Sequence, residues 1–356
     1  MAGTITHAYF AIDVYNKFDE NLHNRFKNYK ENLKTYAQGP DILFFSTNLF
    51  NHKKVNKIGN YVHKHNTKNL FINMVSYIKN NHLENNDELI SFLYGYIMHY
   101  ALDTKVHPYV IYKGGIFDKK KKDTYKYNSK HSDIESYIDA YMINKNENIN
   151  PRKFKIQKFC FNYNKISKDL SNMIDYSFSN TYGFNKLSFY FKQGLFNMKH
   201  SYRLLRYDPF GIKTFIYKLF DKLHPRSIKD FYPVSYSYKL NNNNYYLNLN
   251  HKTWCHPRYN KETHTESFID LYNDMTGQAW SMFDGDAEGI DDFEKSVTTS
   301  IQKALNDLWC SYKFPFRNKT MTVKTRSGVN SYSTPNGKIA KKKVNNKKGF
   351  LLFGKK

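Results

Sequence analysis

Cysteine is nearly absent. The 356 residues include three, at positions 160, 255 and 310. An odd number at wide spacing excludes both a disulfide framework and a Cys-based zinc motif. There is also no run of about 18 apolar residues, so no membrane-spanning helix is expected. The N-terminal stretch MAGTITHAYFAIDVYNKF lacks a basic leader, a continuous apolar segment and a cleavage site. Together these absences lead us to expect a cytoplasmic, reducing location. Acidic residues are outnumbered, 31 Asp/Glu against 55 Lys/Arg, for a net charge of +24. Between Arg317 and Lys356 there are none, and the twelve Lys/Arg there carry half of the excess. Such a field attracts anions in general, whether nucleic acid, phospholipid surface or phosphorylated substrate, without choosing among them.

What the chain does have is aromatic residues, 17% of the whole and mostly Tyr and Phe. They supply a sizeable core, and the length fits one large domain or two smaller ones. We expect one helical domain over 1–315, with an irregular insertion at about 231–259, followed by a disordered basic tail, 316–356. The tail ends GFLLFGKK, an apolar tip too short to anchor by itself. Asn-rich stretches such as Asn241 to Asn244 are discounted as evidence of function, and no internal repeat is present.

The text is helical in most places. A first helix is expected over 4–18, with Thr4 or Thr6 as N-cap and His7 in its first turn. Helical pattern continues to about residue 36. Gln38-Gly39-Pro40-Asp41 reads as a loop, in which Asp41 would serve at least as a cap. One helix is expected over 57–80, with His63 and His65 near its start. Residues 114–130 form a basic, glycine-containing loop with a lysine run at 119–122, read chiefly as solvated surface. Residues 153–229 are again helical, alternation in VSYSYKL and YYLNLN allows a short hairpin within 231–259, and further helices are expected at 262–280 and 291–308. Asp284-Gly285-Asp286 lacks the full spacing of a calcium loop.

The chain is organised around ELISFLYGYIMHYALDTKVHP, residues 88–108. It is apolar enough for a buried helix, yet His99, Asp103 and His107 recur every fourth residue and so share one face. Pro108 disfavours helix at the residue before it, so His107 is expected at the helix end. Burying three such groups is costly without a partner, and a metal ion suits a mixed His/Asp set. An i,i+4 His/Asp pair is equally open to a plain hydrogen bond. A second pair, His131 and Glu135 in HSDIESYID, weighs against coincidence, again four apart beside an apolar side of Ile134, Tyr137 and Ile138.

In order, THAYFA, GPDILFF, GNYVHKHNT, GYIMHYALDTKVHP and KHSDIESYID resemble the zinc-dependent phospholipase C family, whose all-α fold is shared with fungal single-strand-specific nucleases. The resemblance spans roughly residues 5–145. A fainter likeness lies in WCHPRYNKETHTESFIDLY, similar to a segment of non-secreted relatives. The resemblance implies a multi-helix bundle holding two or three zinc ions that hydrolyses phosphate esters. It assigns Asp41, His63, His99 and Asp103 to a first zinc and His107, His131 and Glu135 to a second. Asp103 would bridge toward a third, with His7. His52 and His65 lie close to His63, and the family spacing before Thr67 favours His63. Catalytic roles fall on Asp103 as the bridge and Asp41 as the carboxylate that orients or deprotonates water. Secreted members complete the third site with an N-terminal Trp, whereas this chain starts MAGTIT and has no Trp before 254. That site is expected to be lost, filled by water or completed by another group. A phospholipase C-like phosphodiesterase, with phospholipid among its possible substrates, is therefore the leading expectation. The alternatives are a nuclease on the same fold, with nucleic acid as partner, and a non-catalytic metal-stabilised interaction protein.

Overall fold

In the computed structural model, the described residues are 3–46, 52–63, 65–118, 120–163, 165–225, 230–236, 240–257 and 261–283, with two short strands beyond. They form an all-α fold. The helices are α1 (Thr4–Tyr15), α2 (Glu20–Phe26), α3 (Lys30–Tyr36), α4 (His52–Val62), α5 (Thr67–Asn80), α6 (Asp87–Gly114) and α7 (Lys130–Glu147), then α8 (Ile156–Phe159), α9 (Lys168–Tyr182), α10 (Leu187–Leu205), α11 (Ile212–Leu223), α12 (Asn243–Tyr246) and α13 (Phe268–Phe283).

Helix α6 is the central post. Asn86 caps it, its side chain accepting the Leu89 N–H at 3.4 Å. Nearly every residue from Glu88 to Val110 is buried, so α6 is covered on all sides as a core helix must be. Helices α1, α3, α7 and α13 pack around it. Tyr36, Phe92, Tyr96 and Tyr100 form a chain of tilted and edge-on rings along one side. Helix α6 does not stop at His107. It runs through Pro108 to Gly114 and ends at Gly115, whose φ is +67°. Val106, Tyr109 and Val110 continue the buried face, and that packing outweighs the local preference imposed by proline.

Other boundaries also differ from expectation. The N-cap of α1 is Gly3, not Thr4 or Thr6. The Ile5 and Thr6 N–H groups are met instead by the carboxylate of Asp139, at 3.3 and 2.9 Å, so a distant residue does the capping. Residues 39–45 are a 3-10 helix that includes Asp41 rather than an open loop. The single helix expected over 57–80 is two, α4 and α5, because Asn66 turns the chain in the left-handed region. Among the described residues no hairpin forms from the alternation noted within 231–259. A short one pairs Trp254–Cys255 with Thr263–His264, and Trp254 stacks on His264 while edging Tyr109 of α6. The expected helix at 291–308 and the Asp284-Gly285-Asp286 loop lie outside the described residues. The tail expected to be disordered carries one antiparallel pairing, Thr322–Thr325 with Gly328–Ser331, and its remainder is likewise outside them. None of the described helices is long and apolar enough to cross a membrane.

Candidate metal centre

Five segments deliver the polar side chains that α6 and its neighbours enclose. Helix α6 contributes His99, Asp103 and His107 on successive turns, all buried. Helix α1 brings His7 and the 3-10 turn brings Asp41. His63 follows the last residue of α4, and α7 supplies His131 and Glu135. The rings of His7 and His99 stack at 4.4 Å, and those of His107 and His131 meet edge-on at 5.1 Å. Three groupings bring ligand-type atoms within 4.8 Å of one another: His7, Asp41 and His99; His63, His99 and Asp103; and His107, His131 and Glu135. Of the nearby alternatives, His65 stacks on Tyr61 and bonds its carbonyl, outside these groupings. The side chain of His52 is not among those described.

The imidazoles are oriented from behind. His63 Nδ1 donates to the Gly59 carbonyl at 2.7 Å, and His99 Nδ1 to the Ala37 carbonyl at 3.1 Å. A carbonyl can only accept, so Nδ1 carries the proton and Nε2 turns its lone pair inward. His63 Nε2 then lies 2.9 Å from Asp41 Oδ1, and His131 Nε2 lies 2.9 Å from Glu135 Oε1. At His63 the inward lone pair faces a carboxylate oxygen, which requires a positive particle between them, either a proton or a metal. Asp103 sits between two rings, 3.3 Å from His7 Nε2 and 3.6 Å from His99 Nε2. Neither ring nitrogen of His7 makes a hydrogen bond, and His99 Nε2 makes none, although all are buried. Such orphaned polar atoms are costly unless another ligand meets them.

Protonation favours the same use. Burial holds His99 and His107 well below the ordinary imidazole value, so both are neutral near pH 7. For Asp103 burial acts upward, but its electrostatic surroundings act downward and prevail, keeping the carboxylate well below its usual value. Glu135 is likewise lowered, burial being offset by His131. Asp41 goes the other way: burial raises it more than its hydrogen bond with His63 lowers it. Neutral imidazoles and anionic carboxylates in one pocket are the donor set that zinc takes. The two ends of the cluster differ in access. The His7 and His99 side chains are fully buried, while His131 is 37% exposed.

A model of the zinc dependent phospholipase C family matches residues 6–191. The chain belongs to that family. No curated protein and no solved structure matches it. The matched span contains all eight of the side chains just described.

One important residue was overlooked in the sequence although it stood in the quoted motif. Asp139 is the next step of the His131–Glu135 stripe, four residues further along α7. Its carboxylate accepts from the Ile5 and Thr6 N–H groups, from Thr6 Oγ1 at 2.8 Å and from Tyr236 Oη at 2.9 Å. It thereby ties the first turn of α1, and His7 with it, to the helix that carries the second histidine pair. The repeat at 131, 135 and 139 was the available signal. Gly39 is the other. Its φ is +51°, and a Cβ there would lie 2.4 Å from His99 Cγ. The turn bearing Asp41 therefore passes so close to the His99 ring that only glycine fits.

The lysine run near the site stays in solvent where it is described. Lys120, Lys121 and Lys122 are exposed. Lys122 and Lys126 line a cleft with Asp123, Asp221 and Asp230, so its charge is mixed and it is no one-sign anion funnel. Asp221, His224 and Asp230 form a separate polar cluster. Asp221 is already engaged there, accepting the Phe231 and Tyr232 N–H groups at 2.6 and 2.8 Å.

Proposed function

We propose that the chain is a phosphodiester hydrolase of the phospholipase C type, using zinc held by the clustered side chains. The carrying observation is that eight histidine and carboxylate side chains from separate segments gather into neighbouring groupings, fully buried at His7 and His99 and 37% exposed at His131. In this reading Asp41, His63, His99 and Asp103 hold one ion, His107, His131 and Glu135 a second, and Asp103 with His7 reach toward a third. Bound zinc would supply a water acidic enough to yield hydroxide near neutral pH and positive charge for the phosphate oxygens.

The protein's own groups do the rest. Asp41 holds the attacking water and takes its proton, a role that suits a carboxylate outside the two helical pairs. Asp103 stays anionic and fixes the spacing between the two histidine groups. The Gly59 and Ala37 carbonyls lock the rings of His63 and His99. The exposed edge at His131 admits the phosphate ester, and the buried end excludes bulk water.

The positive charge of the chain supports a second reading, a nuclease on the same scaffold. The test is zinc analysis of the purified protein together with hydrolysis of a chromogenic phosphodiester, phosphatidylcholine and single-stranded nucleic acid. At least two zincs and turnover of the chromogenic diester are expected. Asp103→Asn, shown folded by circular dichroism, should lose zinc and more than the roughly 10–100-fold in activity that a supporting partner costs. Preference for nucleic acid, with a steep salt dependence of binding, would select the nuclease reading. Full zinc with no turnover on any of the three would leave a metal-stabilised interaction protein.

A further inference from the structure

Helix α11 is amphipathic in the reverse sense for a surface helix. The side of such a helix that faces the body is normally apolar. Here it is polar. Thr214 is the helix's only buried residue. Its hydroxyl bonds Asp208 Oδ2 at 2.7 Å and pairs with Ser235 Oγ at 2.9 Å. Asp221 accepts the Phe231 and Tyr232 N–H groups, and Tyr217 donates its hydroxyl to the Leu205 carbonyl at 3.1 Å. Residues 214, 217 and 221 share one side at about 100° per residue. The opposite arc is Ile212, Phe215, Ile216, Leu219, Phe220 and Leu223, and all six are exposed, from 41% at Ile216 to 76% at Leu223. Phe210, just before the helix, is 87% exposed, and Leu204, at the end of α10 where Lys213 reaches its carbonyl, is 69% exposed. Lone exposed apolar residues are ordinary, but a continuous arc of this kind marks an interaction surface.

The charges around the arc favour an anionic occupant. Lys218 and Lys222 are exposed along one border, and Arg203 is exposed in the last turn of α10. Lys213, on the other border, reaches back to the Tyr207 carbonyl at 2.8 Å. A second copy of the chain would bring an identical cationic border, in a molecule of net charge +24. The segment from Arg317 to Lys356 would bring twelve more cations and no acid. Both are poor matches. A surface that is apolar just below a layer of negative charge is a good one, and that is an anionic lipid leaflet. We propose that α11, with the adjoining end of α10, lies in the plane of an anionic membrane, its aromatic and aliphatic arc among the acyl chains and its lysines at the headgroups. No described helix spans a bilayer, so attachment would be peripheral. The surface lies outside the family-matched span, residues 6–191, and the inference does not rest on the catalytic reading.

The test is co-sedimentation of the full chain with vesicles of phosphatidylcholine alone and with 30 mol% phosphatidylserine (about that of an anionic leaflet). Three proteins are compared: the wild type, Phe215→Glu/Leu219→Glu and Lys218→Glu/Lys222→Glu. Circular dichroism checks folding, and a soluble chromogenic diester serves as the activity control. We expect binding to the anionic vesicles, weaker binding to the neutral ones, and at least a tenfold loss in each variant with unchanged turnover of the soluble diester. A wild type that ignores anionic vesicles overturns the proposal, as do variants that bind as tightly as it does. A concentration-dependent dimer that the Phe215/Leu219 variant abolishes would assign the arc to a second copy instead. Hydrogen exchange that is slow over 212–223 in the lipid-free monomer would assign it to another part of the chain. If vesicles bind but the diester is not hydrolysed, the catalytic reading fails and the membrane reading stands.

Discussion

Two residues with no ligand role decide whether the cluster can form. Gly39 has a positive φ and no room for a methyl group beside His99. Gly39→Ala should therefore destabilise the protein by roughly 2–3 kcal/mol and lower its zinc content, measured by thermal unfolding and metal analysis. A normal melting temperature with full zinc would show that the turn tolerates a side chain. Asp139 gathers four donors around one buried carboxylate. Asp139→Ala should cost roughly 3 kcal/mol in a denaturant titration, because the Ile5, Thr6 and Tyr236 donors would all lose their partner. Gly39 looked like an ordinary turn glycine, and Asp139, although it continues the fourfold repeat of 131 and 135, serves Ile5, Thr6 and Tyr236, none of them near it in the chain. His63, by contrast, was separable from His65 by its spacing before Thr67, and the structure places His63 against Asp41 and turns His65 onto Tyr61.

At the level of elements, fourfold spacing was the legible signal. It placed His99, Asp103 and His107 on one helix and His131 and Glu135 on another, and those helices pack together. Termini were less legible. Proline at 108 read as a stop, but tertiary burial carried α6 six residues further, and one helix over 57–80 became two. The inverted helix α11 was hidden because its periodicity is that of any amphipathic helix, and only coordinates show which side faces in. The element pairings also set the pH response. His99 and His107 have values lowered by burial, so below the ordinary 6.5 the unfolded chain binds more protons than the folded one. The stability that these two histidines contribute is present above 6.5 and is lost as pH falls toward their folded values. Asp41, Asp139 and Asp230, shifted upward, act in the opposite direction, but from an ordinary value of 3.8 that lies further below this window than the histidines' 6.5. The metal-free protein should unfold at lower urea concentration at pH 5.5 than at pH 7.5; an unchanged or higher midpoint would contradict the burial of neutral rings. Zinc should add to this. At a thousandfold excess over its dissociation constant, a ligand bound only by the folded state stabilises by about 4 kcal/mol. A chelator should correspondingly lower the melting temperature.

For the molecule as a whole, one all-α body holds the metal-type cluster inside and a lysine-bordered apolar arc outside. Half of the net charge lies beyond residue 316. A chain ending at 316 should keep its zinc and its turnover of a soluble diester while binding anionic polymers less tightly at low salt, as read by a salt titration of affinity. Unchanged salt dependence would mean that the charge of the tail is not what draws anions. The central claim, that the segments bearing His7, Asp41, His63, α6 and α7 build a single zinc cluster, is tested most directly by anomalous diffraction at the zinc edge from crystals of the native protein. The account predicts one peak among Asp41, His63, His99 and Asp103 and another at His107, His131 and Glu135, spaced on the order of 3.5–4 Å as in two-metal sites. Zinc found only elsewhere, for instance at Asp221, His224 and Asp230, or no peak between α6 and α7, would contradict it.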